Sequence, residues 1–544
     1  MGWLGSLGLV SSRFVRRVRT ASGAVAVQLV VKEHGEIVEI EHVGSAHADS
    51  ELALLLAAAR ERLQPGQQAL DLGELAAEPA RVSDIADWTR PEPDRPLSAD
   101  PAPPPSPGRP RADRAGGRVV GTSALTLWNV MLDAYARLGF DALDDEAFRA
   151  MTLARVIEPT SKADTVRVLD EIGAPAPAVR TLFRALARCA ERDYRGQLAK
   201  ACLTQATRNG VLGLVLYDVT TLHFEAENED ALRKVGMSKE RRVDPQIQVG
   251  LLVDPTGFPL EVHCFEGNTA ETSTLLPVLE AFRERHHGAD LVVVADAGML
   301  SAKNLNAIED AGLSFIVGSR ISKAPYDLAA HFERHGNAFD DGQVLESARV
   351  MGSGKAARSR RVVYQYRFAR HKRDDRAINA MVERAEKVAA GKRPLKKDRF
   401  VRIDTAGKEV DWGLVERARQ LAGLKGYVTN LPATTMDGHA VVGAYHDLWQ
   451  VEKSFRMAKS DLRARPIFHH KRESIEAHLT VVFAALAVSR HLQDVTGTSI
   501  KNIVRTLRAV RSATIRLGDH EITLDPDIPT AAQAILERLP PTGH

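Results

Sequence analysis

Cysteine is scarce, with three in 544 residues: Cys189, Cys202 and Cys264. No pair has CxxC spacing, so they build neither a zinc site by themselves nor a disulfide framework, and they read as small core residues in a reducing compartment. Long apolar runs are also missing. The longest, Leu479–Val488 (LTVVFAALAV), is too short to cross a bilayer and suits a buried helix. The opening MGWLGSLGLVSSRFVRR puts its charges after a short apolar stretch, the reverse of a secretory signal, and Gly2 with Ser6 fits a myristoylation pattern only formally. The expectation is a soluble cytoplasmic protein without a membrane partner. His469, His470 and His478 lack HxxxH spacing and read as core or surface histidines rather than zinc ligands.

A large net charge is lacking too, but the total of +3 conceals segregation. Lys355–Arg402 holds 17 Lys or Arg against five Asp or Glu, a local balance of +12. Its blocks Arg358–Arg361 (RSRR), Arg370–Arg376 (RHKRDDR) and Lys392–Arg399 interleave with Tyr364, Tyr366 and Phe368. A solvated basic surface would look the same, yet the interleaving favours a polyanion such as nucleic acid, with Arg358, Arg360 and Arg361 as candidate contacts.

The chain is too long for one core and divides into roughly three or four domains. Residues 14–86 form a small α+β unit: strands Val25–Val31 and Ile37–Val43, then a helix over 49–63 with Asp49 as N-cap. Residues 91–118 are a linker, since Pro91–Arg111 holds nine prolines in 21 residues. Residues 119–208 are helical. The break at GAPAP (Gly173–Pro177) allows either a helix-turn-helix, with Arg180, Arg184 and Arg188 on one face, or a plain bundle.

From 209 the order changes. VLGLVLYD (Val211–Asp218), IQVGLLV and FPLEVHCF read as three strands compatible with antiparallel pairing, the last two joined by the turn Asp254–Gly257. A helix over 272–286, strand LVVVAD (Leu291–Asp296), a Ser301-capped helix and strand LSFIVG come next. This is the order of a ribonuclease-H-like α/β core, with its first part at 209–320. The pattern then breaks over 321–425, including the basic block, before the core resumes at 426–510 and a tail at 511–544. An insertion explains that gap better than a structureless loop.

Asp218 and Asp296 each end an apolar strand, where an Asp alone reads more readily as a turn former or helix cap. In a ribonuclease-H-like core those strands are neighbours, so the two carboxylates stand side by side. Glu452 supplies a third: within 440–462 it falls on the helical stripe of Tyr445, Leu448, Trp449 and Phe455, where a carboxylate is costly unless something positive meets it. By itself Glu452 would be read as half of a structural salt bridge. Three acids in one cleft repel one another, and two magnesium or manganese ions would relieve that repulsion and activate water or a 3′-hydroxyl against phosphorus. Thr220, Thr221, Asn268 and Glu271 are further candidates to line the cleft, and Trp449 reads as buried against the sheet rather than stacked on a base.

YDVTTLHFE (Tyr217–Glu225), VVADAGMLS (Val293–Ser301) and YHDLWQVEKSFRMAKSDLRARPIFH (Tyr445–His469) resemble the DDE transposases of bacterial insertion sequences. They are most similar to the branch with a β-rich insertion and a Y-R-E-K signature. Tyr445, Glu452 and Lys459 match that signature; Leu448 stands in its arginine position, and Arg456, one turn on, is a candidate substitute. The resemblance implies Asp218, Asp296 and Glu452 as catalytic acids and metal ligands, and Tyr445, Arg456 and Lys459 as DNA contacts. It also implies cleavage at inverted-repeat ends, transfer of 3′ ends to target DNA, and a homodimer in the synaptic complex. A ribonuclease-H-like nuclease without strand transfer and an inactive DNA-binding relative stay open as alternatives.

Overall fold

Apolar alternation in VAVQLVV yields a strand, as expected. In the computed structural model β2 (Val25–Glu33) pairs antiparallel with β1 (Ser11–Arg19) and β3 (Glu36–Ala46). The structure describes residues 11–19, 25–33, 36–46 and 55, then 118–541 with gaps at 209, 211, 225–228, 237–243, 287–290, 300, 320–327, 395–397, 405–406 and 466. The helix expected over 49–63 and the proline-rich linker therefore lie outside the described residues, apart from Leu55 and Arg118. Leu55 packs on the small cluster around Val27 and Leu29. Residues 1–109 form one compact unit and 110–544 a second.

The second unit begins with strand β4 (Arg118–Ser123) and helices α1 (Leu125–Arg137), α2 (Glu146–Ile157), α3 (Lys162–Ile172), α4 (Val179–Glu191) and α5 (Tyr194–Ala206). Side-chain caps start three of them: Asp145 accepts from Ala147 and Phe148, Ser161 from Asp164, and Asp193 from Gly196. Gly173, at φ +73°, ends α3, where a Cβ would lie 2.4 Å from that of Ser123. Arg188 is drawn inward: it holds Asp145 through two bonds of 2.6 and 2.8 Å, and Tyr194 donates to the same carboxylate. It therefore does not share an outward face with the exposed Arg180 and Arg184.

Next come β5 (Leu214–His223), β6 (Gln246–Val253), β7 (Pro259–Glu266), α6 (Leu275–Arg285), β8 (Val292–Ala295), α7 (Ala302–Asp310) and β9 (Ser314–Ser319). β5, β6 and β7 are antiparallel, whereas β8 pairs parallel with β5 and β9 parallel with β8. This is a ribonuclease-H-like core. Ser301 caps α7 as expected, and Gly257, at φ +89°, closes the β6–β7 hairpin by donating to Asp254.

After α8 (Ala329–His335), the inserted segment is split between two tasks. Strands β10 (Val344–Met351) and β11 (Arg358–Tyr366) join β14 (Leu424–Thr429) beside β9, making an eight-stranded sheet in the order β10-β11-β14-β9-β8-β5-β6-β7. Helix α9 (Phe368–Ala389), hairpin β12 (Val401–Asp404) and β13 (Gly407–Val410), and helix α10 (Trp412–Gln420) build a satellite core around Ile378, Val382, Phe400 and Val415.

The chain returns through α11 (Gly438–His446), α12 (Trp449–Ser460), α13 (Arg472–Thr496) and α14 (Ile500–Arg508). By length and composition α13 is apolar enough to cross a membrane, yet 89% of its apolar window is buried inside the protein, where it serves as a core helix. The final segment does more than trail: β15 (Ser512–Leu517) pairs with β16 (His520–Leu524) and with β4, and α15 (Thr530–Leu536) packs against α14.

Candidate active site

Asp218 and Asp296 are set by strand register. Tyr217 is the parallel partner of Ala295, the last residue of β8, so the residues that follow, Asp218 in β5 and Asp296 just past the end of β8, come at the same level on neighbouring chains. Parallel strands lie about 4.8 Å apart and equivalent residues point the same way, which puts both carboxylates on one face of the sheet. Thr220 shares that face with Asp218, two residues on. Its hydroxyl accepts a 2.6 Å bond from Lys459 of α12.

Asp296 has a second fixed neighbour. The Tyr445 hydroxyl, at the end of α11, donates to its Oδ1 at 2.6 Å. Burial, and then the bond to Asp296, push the Tyr445 pKa up, so the phenol stays protonated and keeps donating. The ring reaches the carboxylate across β9, where Gly318 leaves room: a Cβ there would lie 2.4 Å from the Tyr445 oxygen. Tyr427 packs on Tyr445 edge to face at 4.9 Å, and the Lys425 ammonium lies 5.1 Å from the centre of its ring. Burial pulls the Lys425 pKa down, as does Arg370, while Asp296 opposes the shift.

Glu452 departs from its expected place. The continuous helix expected over 440–462 is tightened between α11 and α12: Leu448 donates to Tyr445, Gln450 to Asp447 and Val451 to Leu448, all three-residue steps. A 3₁₀ turn advances roughly 20° more per residue than an α-helix, so three such residues rotate α12 by about 60° relative to α11. The buried stripe becomes Val451, Ser454, Phe455 and Ala458, while Glu452 and Trp449 are exposed. The burial expected for Trp449 is thus corrected: the residue is 52% exposed, with the Lys453 ammonium 5.3 Å from the centre of its ring. Glu452 remains seven residues from both Tyr445, bonded to Asp296, and Lys459, bonded to Thr220. Among the described residues no three His, Cys, Asp or Glu side chains converge closely enough to hold a metal ion, so the three acids are not gathered into a ready-made cage.

Residues 210–488 match the family described as the transposase DDE domain. The chain belongs to this family. No curated protein matches it. Among solved structures it is similar to a cryo-EM structure of a piggyBac transposase synaptic complex with hairpin DNA, at 10% identity and a TM-score of 0.35, over 71% of this chain and 79% of that one.

Within the DDE domain the three arginines expected to touch DNA each pair with an acid of the protein, Arg360 buried, Arg361 mostly covered and Arg358 still part-exposed. Arg360 is buried and bonds Glu309 at 2.8 Å and Asn306 at 2.5 Å. Arg358 bonds Glu309 at 2.9 Å and Asp310 at 2.6 Å. Arg361 holds Glu346 at 2.8 Å and the Met436 carbonyl at 2.7 Å. Charge counting could not see this, because the partner acids lie on α7 and β10. Arg456 is exposed on α12, and of the candidate lining residues Glu271 comes close to the Asp296 turn, its Oε2 lying 3.0 Å from where a Cβ on Gly298 would stand. Sequence reasoning missed Gly318 and Lys425; the apolar strand signal around each was visible, but not their approach to Tyr445.

Proposed function

We propose that this DDE-family protein is a transposase that cuts DNA at the inverted-repeat ends of its element and joins the freed 3′ ends to target DNA, with Asp218, Asp296 and Glu452 as its acidic trio. The carrying observation is the bracket around Glu452: Tyr445 on Asp296 and Lys459 beside Asp218 tie both ends of the helical segment to the face that bears the two aspartates. The donor set consists of carboxylate oxygens, which suits a hard divalent cation, and magnesium in particular takes one or two carboxylates and completes its shell with water and substrate phosphate. A pair without a preformed third ligand fits that habit. When bound, two magnesium or manganese ions would supply Lewis-acid activation of the attacking hydroxyl and charge neutralisation at the leaving oxygen.

The chain's own residues do the rest. Asp218 and Asp296 stand at one level on neighbouring chains, and Tyr445 fixes one Asp296 oxygen. Glu452, exposed at the start of α12 and bracketed by Tyr445 and Lys459, would supply the third carboxylate. Lys459 meets that phosphate, and Arg456 stands in for the arginine that the Y-R-E-K branch carries where this chain has Leu448. The unit at 14–86 recognises the element ends, the linker at 91–118 gives it reach, and two copies act together in the bacterial cytoplasm.

The test uses the full chain and DNA carrying any short inverted repeats that flank its gene. Magnesium-dependent nicking at the repeat boundary and strand transfer of the 3′ ends are expected, and both should vanish in Asp218→Ala, Asp296→Ala and Glu452→Gln. Nicking without transfer returns the reading to a nuclease of the same fold.

A further inference from the structure

A cavity of about 490 Å³ opens between the N-terminal helices and the segment after α12, and the proposed cleavage chemistry makes no use of it. Its lining includes Arg155, Lys162, Phe183, Arg463, Phe468 and His469. Two features set it apart. Phe468 is 72% exposed and Phe183 50%, so two phenyl rings stand in water at a cationic opening. Beneath them lies buried positive charge whose bonds go to neutral groups. Arg155 donates to the carbonyls of Leu462, Arg463 and Thr160. The Lys162 ammonium meets His469 Nε2 at 2.8 Å and His478 Nδ1 at 3.0 Å, while His478 Nε2 donates to the Ala464 carbonyl.

An ammonium has three N–H donors, and the two imidazoles take two of them. The histidines are neutral acceptors here. Burial, then the nearby Lys162 and Arg155 charges, push His469 down to about 4 and His478 well below its ordinary value. Lys162 itself is pushed down to about 7 by burial and by Arg155. An anion in the cavity relieves that repulsion and takes the third donor, and the N-terminus of α3, at Ser161–Ala163, faces the same space and favours negative charge. A second, more open trough of about 630 Å³ shares Pro159 and Arg463 with this cavity and carries Lys501, Arg505 and Arg511.

We propose that the cavity receives one unpaired nucleotide of a DNA strand, its phosphate on Lys162 and Arg463 and its base against Phe183 and Phe468, with the neighbouring backbone lying in the trough. Bare phosphate would leave both rings in water, whereas a base covers them and brings its own phosphate. The position fits, because Arg463–Phe468 comes directly after the helix that carries Glu452 and Lys459. The inference rests on the proposed transposase function.

Fluorescence anisotropy of the full chain at one fixed salt concentration tests it, with a labelled blunt duplex and the same duplex carrying a four-thymidine 3′ overhang. The wild-type chain should prefer the overhang by about tenfold, the scale of one base stacked on an aromatic side chain. Phe183→Ala and Phe468→Ala, both at exposed rings and so harmless to folding, should each cut that preference to threefold or less while leaving blunt-duplex affinity unchanged; Phe468→Trp should restore it. Lys162→Met should lose it as well. Equal wild-type affinity for the two duplexes, or a full preference surviving in the double phenylalanine variant, overturns the inference while leaving the transposase reading intact. A wild-type chain that binds neither duplex also overturns the inference, whereas the transposase reading stands or falls on cleavage and transfer at the element ends.

Discussion

Tyr445 donates a 2.6 Å hydrogen bond to Asp296 from 149 residues further along the chain. One acid of the proposed trio is thereby oriented by the helical segment that delivers another. In Tyr445→Phe the ring and its contact with Tyr427 persist, and only the hydroxyl is lost. Fixing a ligating carboxylate through an outer hydrogen bond typically matters 10–100-fold, so cleavage should fall by about that factor, with the magnesium dependence moving to higher concentration. Stability should change by only about 1 kcal/mol. A metal titration of cleavage alongside thermal melting separates the two effects.

Gly318→Ala should reproduce that loss from the other side, because the new methyl occupies the space of the Tyr445 hydroxyl. Added to Tyr445→Phe it should cost little more, since residues sharing one contact are not additive. A double-mutant cycle on cleavage rate checks this, and two fully independent losses would break the link between Gly318 and Tyr445.

Glu452→Gln should abolish cleavage while leaving the melting temperature almost unchanged. The side chain is exposed, and surface substitutions of this kind stay within about 0.5 kcal/mol. A marked fall in melting temperature would return Glu452 to a structural salt bridge.

Arg360→Met should act on folding. Breaking a buried ion pair costs about 3–5 kcal/mol where the remaining charge is left alone; here Arg358 still holds Glu309, so the loss should fall below that range, and Arg358, more exposed, should contribute far less. Burial pushes the Glu309 pKa up, but the bonds from Arg360 and Arg358 outweigh it and hold the carboxyl below its ordinary 4.5. A depressed carboxyl stabilises the fold above 4.5 and loses that contribution as pH falls through the folded value. The wild-type chain should therefore lose stability below 4.5 more steeply than Arg360→Met, as acid melts would show.

A chain starting at Pro110 should keep its fold and magnesium-dependent nicking but lose preference for element ends. The cut must precede Arg118, because β4 is paired with β15 in the second unit. Undiminished end preference in the truncated chain, measured at fixed salt, would move recognition into the helices or the core.

The strand signals of 209–320 were legible because buried β-strands leave continuous apolar runs, and an Asp at the end of such a run is visible without coordinates. Period and spacing also placed Tyr445, Glu452 and Lys459 on one helical segment. The rotation at Leu448 was not legible. No Pro or Gly marks it, and the bonding shifts to three-residue steps without leaving right-handed backbone, so the local pattern of side chains shows nothing. Trp449 and Glu452 were therefore expected in the interior.

By itself, then, the sequence determined the order of strands and helices, the two strand-end aspartates and the charge surplus of the inserted segment, because these depend on neighbours a few residues away. Only the tertiary structure decided where the surplus goes. Arg358, Arg360 and Arg361 meet Glu309, Asp310 and Glu346, and Tyr445 meets Asp296, through sheet pairings that join distant parts of the chain. Burying an arginine or a phenol demands a partner, and which partner it finds is settled by packing rather than by any local pattern.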